Sequence, residues 1–98
     1  MAHQVIWSPT AVLDLQDILS YIADSDPTAA DDFGRELIAS VERLPEFPES
    51  GRVVPEFGDE FIREIIRKPC RIVYRLKPEE QLVEIVRIWH AARGTPEV

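Results

Sequence analysis

Apolar positions recur at steps of three and four through the first half of the chain and gather into short β-branched runs through the second. Ahead of both, Gln4-Val5-Ile6-Trp7 reads as a short strand. Ser8-Pro9 then marks a helix start: a serine oxygen caps the first free N–H groups, and proline suits the first helical position. Ala11, Leu15, Ile18, Leu19 and Ile22 follow at helical spacing and predict a helix ending near Ala23. Asp26-Pro27 repeats the cap-and-proline pair. Ala30, Phe33, Leu37, Val41 and Leu44 form the stripe of a second helix, with Asp31 and Arg35 spaced for a weak i,i+4 ion pair. So short a link predicts an antiparallel helical hairpin.

Residues 45–58 hold Pro45, Pro48, Gly51, Pro55 and Gly58, the punctuation of an ordered surface loop. Three strand-like runs follow, over residues 61–68, 71–77 and 82–89. The breaks at Lys68-Pro69 and Lys77-Pro78-Glu79-Glu80 suit hairpins, so the three runs should form an antiparallel meander. The expected order is β-α-α-β-β-β. It gives an α+β fold with the N-terminal helical hairpin packed on a small antiparallel sheet, in one domain over residues 1–98.

Charge changes this picture. The chain has 98 residues and a net charge of −7. Residues 1–50 contain ten acids against Arg35 and Arg43, while residues 51–98 contain eight acids against nine bases. An acidic helical half therefore meets a near-neutral, arginine-rich strand half. The acidic total argues against general nucleic-acid binding, which needs a basic footprint. Cys70 is the only cysteine, which excludes an internal disulfide or a cysteine zinc site. The N-terminus lacks a signal-peptide pattern and no apolar run reaches membrane-spanning length, so a cytoplasmic protein without membrane contact is expected.

Candidate chemistry lies in the strand half, at Arg63, Arg71, Arg75, Arg87, His90 and Arg93. Guanidinium groups on a sheet face suit carboxylate or phosphate, because their fork makes paired charge-assisted hydrogen bonds. His90 has the ionisation range of a general acid or base. Taken singly, each arginine is better explained as a strand-edge residue pairing with Glu64, Glu84 or the acidic helices. Trp7 and Trp89 read as packing residues, Cys70 as a small buried apolar group, and His3 as a terminal residue. No histidine set has metal-ligand spacing, no phosphate loop is present, and neither metal nor cofactor is expected.

These residues as a set resemble the ParE/RelE superfamily of bacterial toxins. The resemblance runs through Trp7-Ser8-Pro9, Asp14-Leu15-Gln16-Asp17-Ile18, Tyr21-Ile22-Ala23, Pro27-Thr28-Ala29-Ala30 and the stretch from Phe47 to Glu56. It continues through Arg63-Glu64-Ile65-Ile66, Arg71-Ile72-Val73-Tyr74-Arg75 and the ending Trp89-His90 with Arg93. The resemblance implies the toxin of a type II toxin–antitoxin pair, with a role in growth inhibition and plasmid stabilisation. Its partner would be a cognate antitoxin whose disordered C-terminal segment wraps the toxin. On charge, the acid-poor strand half is the expected seat for an acidic antitoxin tail.

Two activities divide the superfamily. ParE-like members act on DNA gyrase by protein contact, and RelE-like members cut mRNA in the ribosome. The Ser50-Gly51-Arg52-Val53-Val54-Pro55-Glu56 loop and the helical hairpin resemble the ParE-like branch. Arg63-Glu64 stands near where RelE has a lysine pair, and the chain lacks a C-terminal tyrosine. A gyrase-directed protein binder is therefore the first expectation, with Arg63, Arg71, Arg75, Arg87, His90 and Arg93 as partner-binding candidates. The alternative is a ribosome-dependent mRNA endoribonuclease. There the resemblance implies Arg71 and Arg93 supplying charge to phosphate and His90 transferring a proton.

Overall fold

The computed structural model describes residues 2–98. Strand β1 (Gln4–Trp7) leads into helix α1 (Pro9–Ser25), with the Ser8 hydroxyl accepting the Ala11 N–H at 3.0 Å. The helix runs slightly past the expected Ala23 because Asp26 serves both helices. Its N–H donates to the Ile22 carbonyl to close α1, and its carboxylate accepts the Ala29 N–H to open helix α2 (Pro27–Glu42). A cap of this kind is worth about 1 kcal/mol, and here one residue ends one helix and starts the next.

The meander forms with the expected connections. Strands β3 (Ile62–Arg67), β4 (Cys70–Lys77) and β5 (Leu82–His90) pair antiparallel in sequence. Two features extend the expected pattern. A two-residue strand, β2 (Arg52–Val53), forms within the proline-rich loop and pairs with Arg63 and Glu64 of β3. At the other edge, β1 lies parallel to β5, with Gln4 opposite Leu82 and Trp7 opposite Ile85. The sheet is therefore mixed, in the order β1-β5-β4-β3-β2, rather than wholly antiparallel. A strand only four residues long carries no signal for which edge it joins.

Both helices pack on one face of this sheet. Ala11, Leu37, Val41 and Leu44 meet Cys70, Ile72, Tyr74 and Leu76 of β4 and Val83, Ile85 and Ile88 of β5. Alternate residues of β4 face the other way, where Val73 joins Val54 and Trp89 in a smaller cluster. Ile85 and Ile88 share the helix-facing core although they are three apart. The pairing shifts between Val73 and Tyr74, placing an extra residue, Val86, in β5. Pairing with β1 ends at Ile85, and the start of α1 serves the β5 groups beyond it: Ser8 Oγ donates to the Val86 carbonyl, and Asp14 accepts the Ile88 N–H at 3.0 Å.

Candidate functional site

Five of the six candidates lie on the sheet and Arg93 follows β5 in the short 3₁₀ turn Ala91–Arg93, and the six do not converge on one point. Arg71 is buried on the face away from the helices. Its Nε donates to Glu64 at 2.6 Å, its two terminal nitrogens grip Glu56 at 2.8 and 2.7 Å, and Nη1 also reaches the Gly94 carbonyl. Glu64, itself fully buried, also accepts from Arg52 at 2.7 Å. The fork of Arg71 is thus occupied by two carboxylates and a carbonyl. The Arg71 guanidinium holds the Glu56 carboxyl at a pKa of about 2, and the two carboxylates raise that of Arg71.

Arg87 is similarly engaged. It makes a two-pronged bond to Asp14 of α1 at 2.8 and 3.1 Å, which raises its pKa, and it donates to the Glu97 carbonyl. Arg63 donates to the backbone carbonyls of Glu60 and Gly51 at 2.9 and 3.0 Å and so braces the loop. Arg75 makes no side-chain hydrogen bond or ion pair among the described residues. Arg93 stacks on the Trp89 indole at 4.1 Å from the ring centroid, with the Arg87 guanidinium at 4.9 Å.

His90 and Arg93 do come together, at the end of β5 where it meets α1. A cleft of about 460 Å³ opens there, with Ile18, Ile22, Pro69 and Ile88 as its apolar surface and Asp17, Tyr21, His90 and Arg93 around it. Tyr21 projects from α1 at 80% exposure. The His90 Nδ1 accepts the Ala92 N–H at 3.1 Å, so in the neutral ring the proton sits on Nε2. No carboxylate orients the ring among the described residues. The cleft can take an apolar side chain and offers a cation and a histidine donor beside it. Arg71 and its carboxylates lie on the opposite face of the sheet at the same end, around a separate cavity of about 370 Å³ bounded by Arg52, Pro55, Ile66 and Lys68.

Of the anions that neutralise the arginines, Glu64 and the acidic helix bearing Asp14 were expected partners, and the one that sequence reasoning missed is Glu56. Alternation along β3 places Glu64 on the same face as Ile62 and Ile66, and a lone acid at an inward strand position is a usable signal. Tyr74 is a further omission. Its hydroxyl accepts the Gly51 N–H at 2.9 Å and donates to the Pro48 carbonyl at 2.8 Å, latching the loop onto the sheet, while burial raises its pKa. A Cβ on Gly51 would lie 2.6 Å from that hydroxyl and from the Glu64 carbonyl, so the approach requires glycine. Cys70 is buried, and desolvation lifts its thiol to a pKa of about 11, which makes it inert. Among the described residues, no group of three or more His, Cys, Asp or Glu could hold a metal, and no helix is long and apolar enough to cross a membrane.

Comparison with known proteins places this architecture. The family model described as the ParE toxin of the type II toxin–antitoxin system parDE matches residues 5–94. The chain is 37% identical over 90 residues to Toxin RelE2 of Caulobacter vibrioides, covering 92% of this chain and 97% of that one. Among solved structures, the chromosomal ParDE TA system from P. aeruginosa superposes with a TM-score of 0.73 at 21% identity, over 91% of this chain and 96% of that one. The RelBE2 toxin–antitoxin complex from Mycobacterium tuberculosis gives 0.58 at 24% identity, over 92% and 99%. Two helices on a five-stranded mixed sheet are common ground with both structures. On the match over residues 5–94 and the 37% relative, the chain belongs to the ParE/RelE superfamily of type II toxin–antitoxin toxins.

Proposed function

We propose that this toxin acts by protein contact on DNA gyrase and is neutralised by a cognate antitoxin. The observation that carries the reading is the state of Arg71. Its guanidinium is bound by Glu56 and Glu64 on the sheet face away from the cleft that His90 and Arg93 border. Phosphoryl chemistry needs positive charge free to meet phosphate beside the proton-transfer group. Here the most buried arginine is already neutralised, and His90 lacks a carboxylate to orient it. What remains is a cleft with an apolar floor bordered by Asp14, Asp17, His90 and Arg93, which suits a protein side chain better than a scissile phosphate.

Antitoxin binding is supported by the family match and by the ParDE and RelBE2 systems to which the fold is similar. The strand half offers cations for an acidic tail: Arg52 of β2 and Lys68 after β3 border the same cavity. Localisation in the cytoplasm follows from a target there.

The ribonuclease reading keeps one specific support. His90 and Arg93 border the same cleft, and the 37% relative carries the name RelE2. Induced expression separates the two readings. The gyrase reading expects filamentous cells and an SOS response while translation continues. Rapid arrest of protein synthesis with cleaved messages, abolished by His90→Ala, would overturn it.

A further inference from the structure

The helical hairpin carries an unfilled groove on its exposed side. Leu15 and Leu19 of α1 face Gly34, Ile38 and Ala39 of α2 across a cavity of about 450 Å³, with the Asp31–Arg35 ion pair and the unpaired Glu42 beside it. The apolar floor continues the spacing of Val12, Leu15 and Leu19, three residues that the sheet-facing core does not absorb completely. Val12 and Ile38 remain 39% and 37% exposed. Gly34 adds no side chain to the groove, and a Cβ there would only reach ordinary contact with Leu19 at 3.4 Å.

Charge distinguishes possible occupants. From Ser8 to Arg43 the hairpin has eight acids against Arg35 and Arg43, a net of −6 out of the whole chain's −7. Among the described residues only Asp14 and Asp31 of these acids form ion pairs, leaving Asp17, Asp24, Asp26, Asp32, Glu36 and Glu42 without a cation. A second copy of this chain would oppose −6 with −6. An acidic antitoxin tail is repelled for the same reason. An extended strand is also unsuited, because helix backbones have no free ladder groups to pair with it.

We propose that this groove docks a cationic amphipathic helix of a partner protein, its apolar stripe against Leu15, Leu19 and Ile38 and its Lys or Arg residues toward Glu42 and the neighbouring unpaired acids of α2. Helix-in-groove recognition needs that combination of apolar floor and charged rim. The 16 residues of α2 give a seat roughly 24 Å long at ~1.5 Å per residue. The surface is separate from the His90 cleft, so its occupancy does not depend on which target that cleft serves.

The test uses the purified full chain and a fluorescent peptide of Leu and Lys at helical spacing. Two controls accompany it, one with Glu replacing Lys and one of the same composition with the spacing scrambled. The Leu/Lys peptide should bind saturably and shift the backbone amide NMR signals of Leu15, Leu19, Gly34 and Ile38. Ile38→Ser should weaken binding about tenfold, as expected for losing a buried aliphatic side chain. Glu42→Gln, at an exposed rim position, should flatten the salt dependence without unfolding the chain. Equal binding of the scrambled peptide, shifts centred on Tyr21 and His90, or no binding would each overturn the proposal. Gyrase and ribosomes are absent from this assay, so its outcome is independent of the proposed target.

Discussion

Replacing Glu64 with Gln removes one charge from the buried pair that occupies Arg71. The Glu64 side chain is fully buried and accepts from Arg71 at 2.6 Å and from Arg52 at 2.7 Å. These bonds are unequal in weight. Arg52 is 58% exposed, so its pair is screened and worth at most about 1 kcal/mol. The Arg71 side chain is only 9% exposed, and losing its partner leaves a buried charge undercompensated. The amide introduced by Glu64→Gln must also turn its NH₂ toward one of two arginine donors. Because Glu56 and the Gly94 carbonyl still hold Arg71, the expected loss is about 2–4 kcal/mol, below the full cost of an orphaned buried ion. For a domain of this size that lowers Tm by roughly 10–25 °C. Urea unfolding followed by circular dichroism measures it as a fall in midpoint at constant slope. The double variant Glu64→Leu/Arg71→Met should recover stability relative to Glu64→Leu alone, because no unpaired charge is left. A Glu64→Gln variant within about 0.5 kcal/mol of wild type, or strictly additive effects in the double variant, would refute the reasoning.

Three further outcomes follow from the same contacts. Tyr74→Phe strips partners from the Gly51 N–H and the Pro48 carbonyl, so stability should fall by about 1–3 kcal/mol, and hydrogen exchange should rise first in residues 45–51. Asp14→Asn weakens the α1 grip on Arg87 and on the Ile88 N–H at the bulge; a loss of about 1–3 kcal/mol in urea unfolding is expected, with faster Ile88 amide exchange. Glu56 has a folded pKa of about 2 against an ordinary 4.5. Its folded value is depressed, so its contribution is present above pH 4.5 and is lost as pH falls toward 2; Glu56→Gln should flatten the acid limb of the stability curve over that window.

Much of the fold was legible because its signals are local. Ser8-Pro9 and Asp26-Pro27 cap the helices as their chemistry requires, and the stripe from Ala30 to Leu44 does bury Leu37, Val41 and Leu44. The three meander strands lie within a residue or two of their expected limits. The parallel placement of β1, the Val86 bulge and the two-residue β2 were not legible, because each depends on a partner distant in sequence. The candidate site divides in the same way. Alternation along β4 puts Arg71 and Arg75 with Val73 on the face opposite Cys70, Ile72, Tyr74 and Leu76. It could not reveal that Arg71 is held by Glu64 and Glu56, or Arg87 by Asp14, which lies 73 residues away. Regularly spaced arginines thus resembled an anion site, whereas folding supplies most of the anions from within the chain.

The most direct test of the proposed function is a plasmid supercoiling assay with purified DNA gyrase, using the wild-type chain and His90→Ala in parallel with mRNA-programmed ribosomes. The account predicts that both proteins inhibit gyrase equally and leave the message intact. Unaffected gyrase together with a message cut by the wild type and spared by His90→Ala would contradict it.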